Sequence, residues 1–158
     1  MNLKPPASIA LDEMNIPHDL YTHDGSVHSL AQAAAERNQD ISQVVRSILF
    51  RLSENEYALI LVAGPNQISW RFLRRYFRQS RLTMATPEEV LEITGYKVGS
   101  VSPFGLKTQI PILADASVFQ QPAVSLGSGV EGTAILMTKN DLRKALGEIE
   151  VERFAKPL

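Results

Sequence analysis

The spacing of apolar and polar positions divides the chain into short segments of two kinds. Val44 to Leu52 and Tyr57 to Ala63 are rich in β-branched and aromatic residues and predict strands. The second is a nearly continuous apolar run, the pattern of a central strand covered on both faces. A polar turn, Glu54-Asn55-Glu56, separates them, and Gly64-Pro65-Asn66 ends the second. Further strands are predicted from Asp19 to His23, near 109–114, 122–126 and 133–137, and from Glu148 to Phe154. Residues 7–14 predict a first helix that stops before Asn15-Ile16-Pro17. Ser29 is placed to cap a helix through Ala31, Ala33, Ala34, Ala35 and Glu36, alanine being the best helix former. Residues 68–79 predict a helix with Trp70, Leu73 and Phe77 on one side. In Thr86-Pro87-Glu88-Glu89 a capping residue precedes proline at the first helical position and two acids at the positive end of the dipole. Thr138-Lys139-Asn140-Asp141 has the spacing of a capping box, with Asp for the usual Glu, and opens a helix to about Leu146. Consecutive strands with interspersed helices predict an α+β or mixed α/β fold.

Composition narrows the function classes. A chain of 158 residues with 44% hydrophobic residues is expected to form one domain, residues 1–158, around a proper core. It has no cysteine. Disulfides, thiolate metal sites and a Cys nucleophile are therefore excluded, and a reducing, cytoplasmic setting fits. No apolar run approaches the roughly 20 residues needed to span a membrane. Met1-Asn2-Leu3-Lys4-Pro5-Pro6 lacks the apolar core of a signal peptide. The net charge of -1 provides no global basic field. Contact with RNA must come from a local patch, and DNA is not an expected partner.

One such patch is legible. Arg71, Arg74, Arg75 and Arg78 recur at i, i+3, i+4 and i+7, with Arg81 just beyond and no acid between them. On a helix this spacing gathers the guanidinium groups on one face, suited to phosphates. It is equally the outer face of an ordinary amphipathic helix. His18, His23 and His28 are spaced by five, which is not the i, i+4 spacing of helical metal ligands, and without cysteines or a clustered acid no metal is expected; nor does any motif in the chain call for a cofactor. The chain contains no Gly-x-Ser-x-Gly elbow, P-loop or dinucleotide fingerprint.

The most informative stretch runs from Thr94 to Lys107 and on through Gln109 to Asp115. Glycines and prolines shape a loop in front of an apolar strand, with backbone N–H groups accessible to a ligand oxygen. A plain turn between strands has the same punctuation. The stretch is similar to the signature of the YbaK family, free-standing aminoacyl-tRNA deacylases related to the editing domain inserted in bacterial prolyl-tRNA synthetases. Their signature is Thr-Gly-Tyr-x-x-Gly-Gly-x-Ser-Pro-x-Gly, then a basic residue and an Ile/Leu-Pro-x-x-x-Asp strand. It is matched at Thr94, Gly95, Tyr96, Gly99, Ser102, Pro103, Gly105, Lys107, Pro111 and Asp115, with Ser100 in place of the second glycine of the pair. The resemblance extends to Tyr21-Thr22-His23-Asp24, to the strand Val44–Phe50 and to the loop Leu126–Gly132.

The resemblance implies a YbaK-type α+β fold with a mixed, curved sheet and surrounding helices. It also implies hydrolysis of the ester that joins a wrong amino acid, of the Cys-tRNA(Pro) or Ala-tRNA(Pro) type, to the 3′ end of a tRNA. Prolyl-tRNA synthetase is then a possible partner. Backbone groups from Gly99 to Ser102 would hold the reacting end, with Arg46 anchoring the adenosine or carbonyl. Tyr21, His23, His28, Ser100, Val101, Pro103 and Phe104 would line the pocket, and Gly127, Ser128 and Gly129 would bound it. Arg71, Arg74, Arg75, Arg78 and Lys107 would contact the tRNA. One departure stands out: the family strand normally carries a lysine where this chain has Arg46. Arginine is planar, longer and forked, whereas lysine is a compact point charge. The substitution leaves open a non-catalytic module that binds tRNA or a synthetase, and a small-molecule esterase is a third alternative.

Overall fold

A computed structural model describes residues 4–157. Met1 to Leu3, the start of the segment read for a signal core, lie outside the described residues. Chain order begins with helix α1 (Pro6–Glu13), strand β1 (Asp19–Thr22), helix α2 (Leu30–Glu36) and a 3-10 turn, Ile41–Gln43. The long hairpin β2 (Val45–Ser53) and β3 (Glu56–Ala63) follows, turning at Asn55 with φ 63°. Then come β4 (Gln67–Ile68), α3 (Trp70–Phe77), β5 (Thr83–Met84) and α4 (Pro87–Thr94). After the glycine-rich loop the chain forms β6 (Ile112–Asp115), β7 (Ala123–Gly127), β8 (Thr133–Thr138), α5 (Lys139–Leu146), β9 (Glu150–Glu152) and β10 (Ala155–Lys156).

The caps act as their chemistry requires. Ser29 Oγ accepts from the Gln32 amide, and Thr138 accepts from the Asp141 amide. Thr86 and Glu89 form a complete capping box. The acids Glu88 and Glu89 thus serve the start of α4.

The fold is α+β around a mixed sheet. Its order is β5-β2-β3-β6-β9, with β3 antiparallel to β2 and parallel to β6. A three-stranded antiparallel sheet, β1-β8-β7, stands beside it, and β10 pairs with β4. A single bridge, Val44 to Ser125, joins the start of β2 to β7. The two-residue strands at 67–68, 83–84 and 155–156 carry too little pattern to be read from sequence.

Alternation along β3 separates two apolar clusters. Leu59, Leu61 and Ala63 pack with Leu126, Ile135 and Leu142 in the larger one. Ala58, Ile60 and Val62 pack with Phe50, Leu73 and Phe154 in the other. This accounts for the continuous apolar run of β3. Along β2, Val45 and Leu49 belong to the first cluster. Ile48 and Phe50 belong to the second, so Arg46 shares the pleat face of the second.

The arginine helix is shorter than its pattern predicts. Ser69 caps it, and Arg78 ends it in the left-handed conformation at φ 56°. Its apolar side is Leu73, with Phe72, Tyr76 and Phe77 half-buried, while Trp70 remains 37% exposed at the edge of Phe50. The expected side of Trp70, Leu73 and Phe77 is therefore rotated towards Phe72 and Tyr76, because Phe154 supplies the ring cluster they meet.

Candidate functional site

The two glycine-rich loops meet. Gly99 takes φ 95°, and the Ser100 carbonyl accepts from the Gly129 amide at 2.9 Å. A Cβ on Gly127 would overlap the Val101 carbonyl oxygen, and one on Gly129 would lie 2.6 Å from the Tyr96 ring. Only glycine lets these backbones approach so closely. Tyr96 braces the arrangement from beneath: its hydroxyl reaches Phe104 O at 2.5 Å and Gly105 O at 2.9 Å.

In front of the joined loops lie two adjoining cavities, of about 370 and about 530 Å³. The first is largely apolar, walled by Leu30, Ala33, Val44, Val45, Val101 and Leu126. The second is polar, walled by His23, Ser26, Glu131 and Gly132. Val27, Arg37, Gly99 and Thr133 line both. Among the described residues, the amides of Gly99, Val101 and Ser102 donate to no other group, whereas that of Ser100 is spent on Lys97 O at 3.0 Å. Gly99 and Val101 line the first cavity while Ser102 is fully buried outside it, so two amides without an internal acceptor lie at the cavity wall, a requirement for holding a carbonyl oxygen by the backbone.

Of the residues read from sequence, His23, Arg46, Gly99, Val101 and Gly127 line the cavities. The others expected at the pocket lie outside the lining. Pro103 and Phe104 are buried, Phe104 in the larger core cluster. Ser102 is fully buried and accepts from the Phe104 amide, so its hydroxyl shapes the loop. Ser100 Oγ donates to Lys97 O. Ser128 is buried against Val130 and Thr133 and braces the second loop. Gly129 packs on Tyr96. Tyr21 stands edge-on to His23, with ring centroids 4.8 Å apart. His28 is exposed, its backbone amide donating to Gln32. Ser100, Ser102 and Ser128 thus spend their hydroxyls on the loops' own architecture.

Arg46 lines the first cavity, but its guanidinium is occupied. Nε donates to Gly64 O at 3.0 Å and Nη2 to Asn66 O. It pins the segment leading from β3 into α3. Burial lowers its pKa from the usual arginine value.

Arg37, which the sequence reading did not single out, ends α2 and enters both cavities. Its Nε donates to His23 Nε2 at 3.1 Å and its Nη1 to Ser125 Oγ at 2.9 Å. His23 is buried, and its Nδ1 lies 2.8 Å from Glu36 Oε1. These bonds assign the neutral tautomer of His23: Nδ1–H donates to the carboxylate and Nε2 accepts from arginine. The bond from His23 holds the Glu36 pKa below its ordinary value, aided by Gln32. Desolvation is the main cause lowering that of Arg37. No single motif marks this chain of contacts, since His23, Glu36–Arg37 and Ser125 come from three separate segments.

Arg71, Arg74, Arg75, Arg78 and Arg81 are all exposed, and none forms an ion pair among the described residues. Lys107 is exposed on the loop beyond α4. Among the described residues no three His, Asp or Glu side chains converge as metal ligands, and no helix is long and apolar enough to cross a membrane.

Comparison with known proteins adds a family to this geometry. The model of the aminoacyl-tRNA editing domain matches residues 24–145. The uncharacterized protein YwhH of Bacillus subtilis is 30% identical over 130 residues, 82% of each chain. A proline–tRNA ligase of Levilactobacillus brevis is 29% identical over 102 residues, 65% of this chain, which spans only 18% of that ligase. Among solved structures, a candidate trans-editing enzyme for prolyl tRNA synthetase superposes with a TM-score of 0.87 at 28% identity, covering 99% of this chain and all of that one.

Proposed function

The chain belongs to the aminoacyl-tRNA editing domain family, and from that premise we propose that it hydrolyses a mischarged aminoacyl-tRNA, of the alanyl- or cysteinyl-tRNA(Pro) type, in trans to a synthetase. The observation that carries this reading is the pair of adjoining cavities in front of free backbone donors. The apolar cavity has the lining for an apolar amino-acid side chain, with volume beyond what a small one fills, and the polar one for the terminal ribose and base. The ester between them would face the loop from Gly99 to Ser102. A water oxygen adds to the ester carbonyl carbon, and the bond from that carbon to the ribose oxygen breaks. The proton released by water passes to the ribose oxygen, leaving free amino acid and an intact 3′ end. Such an ester is already activated, so positioning and stabilisation of the carbonyl oxygen account for much of the acceleration. Gly127 lines the apolar cavity, and selection by side-chain size there would be worth about 1–3 kcal/mol per methylene. Prolyl-tRNA synthetase is the fitting partner for such an activity, and Arg71, Arg74, Arg75, Arg78 and Lys107 offer the tRNA phosphates a surface.

A second reading, a module that binds the aminoacylated end without turnover, is favoured by one observation: Arg46 spends its donors on the carbonyls of Gly64 and Asn66. A panel of correctly and wrongly charged tRNAs decides between the two. Under the first reading one mischarged amino acid is released selectively, and Arg46→Ala slows the release. No release by the wild type, with activity gained in Arg46→Lys, would establish the second.

A further inference from the structure

The structure points to Arg37 as a side-chain donor to the scissile carbonyl oxygen, acting beside the loop amides, an inference that rests on the editing reading of the same cavities. Three observations converge on it. Arg37 is one of four residues shared by the apolar and polar cavities, and the only charged one. The junction of the two is where the ester of an aminoacyl-ribose would lie. Its side chain is held on two sides, by His23 Nε2 and Ser125 Oγ, and His23 is held in turn by Glu36. Its Nη2 donates to no group among the described residues.

Arg37 is half-buried, and hydrogen-bonding capacity left unused at a partly desolvated charge is unfavourable. Arg37 makes no ion pair among the described residues. An acceptor oxygen from the substrate would meet that need. Arg46 lacks this freedom, because its Nε and Nη2 are already bonded to the segment after β3. Arg37 donates hydrogen bonds to the oxygen as negative charge builds there, and it transfers no proton. His23 is a positioning residue, since it touches Arg37 and orders its fork.

The test is a binding cycle that needs no turnover. Two stable analogues of 3′-alanyl-adenosine 5′-phosphate are compared. One is a ketone, with CH2 replacing the ester oxygen; in the other CH2 also replaces the carbonyl. Wild-type protein should prefer the ketone by about tenfold or more, the range for a hydrogen bond to a charged group. Arg37→Gln should lower that ratio by about fivefold or more, the loop amides keeping the remainder. Because the ratio is taken within one variant, partial unfolding does not alter it. If Arg37→Gln does not fold, Arg37→Lys provides the cycle and should retain only part of the preference. Among positioning variants, His23→Leu should lower the preference, while His23→Gln, which keeps an acceptor for Arg37 Nε, should restore it.

A preference that is undiminished in Arg37→Gln would overturn the assignment. So would equal weakening of both analogues, which would mark Arg37 as a phosphate ligand or a scaffold group. If the wild type binds neither analogue, both this assignment and the editing reading fail. If it prefers the ketone yet hydrolyses no mischarged tRNA, only the turnover reading fails.

Discussion

Gly127 and Gly129 lie where a methyl group would meet Val101 O and the Tyr96 ring. Tyr96 then supports the first loop through the Phe104 and Gly105 carbonyls and the second through its ring against Gly129. Its burial disfavours the phenolate and pushes its pKa up to about 12. In the unfolded chain tyrosine titrates near about 10. A group with a raised folded pKa contributes its full stability below the unfolded value and loses it as pH rises through the folded one. Tyr96→Phe should therefore cost about 1–3 kcal/mol at neutral pH, since the carbonyls lose a donor. The gap to wild type should close between about pH 10 and pH 12. Urea unfolding of both proteins across that range measures it, and a gap that does not change with pH would show that Tyr96 is not the group that titrates.

At the scale of elements, α3 has two sides with separate duties. Phe72, Leu73 and Tyr76 seal the second cluster. Arg71, Arg74 and Arg75 face outwards without ion pairs among the described residues. Exposed charges that neutralise phosphates release counterions, so their number sets the salt dependence of binding. Replacing Arg71, Arg74 and Arg75 together by Gln should weaken tRNA binding. It should also lower the slope of log affinity against log salt by about 0.7–0.9 for each phosphate no longer neutralised. Filter binding at several salt concentrations reads both. An unchanged slope would remove α3 from the tRNA surface. Arg78 contributes less to such a face, because it leaves the helix at the left-handed cap. Arg46 connects this element to the sheet through the segment that precedes it.

For the whole molecule, the mixed sheet divides the two proposed tasks. One face, with the small sheet, carries the cavities; the other, with α3, carries the arginines. Phe154 closes the second face and is fully buried against Phe72 and Tyr76. Phe154→Ala should cost about 3–5 kcal/mol in urea unfolding, the range for an aromatic cavity. A loss below about 1 kcal/mol would mean that the second cluster closes without it. The sequence by itself determined the helix caps, the hairpin, the central strand and both glycine-rich loops. Those depend on side-chain periodicity and on residues a few positions apart, which are written consecutively in the chain. It also determined the family, through a motif whose spacing survives at Thr94 to Asp115. Only the tertiary structure decided that Ser102, Pro103 and Phe104 support the loop from within, that Arg46 turns to the Gly64 and Asn66 carbonyls, and that Arg37 reaches the cavities. The physical reason is that a side chain's direction depends on which strand face, helix end or distant backbone it meets. The partners of Arg37 lie 14 and 88 positions away along the chain, at distances no local pattern encodes.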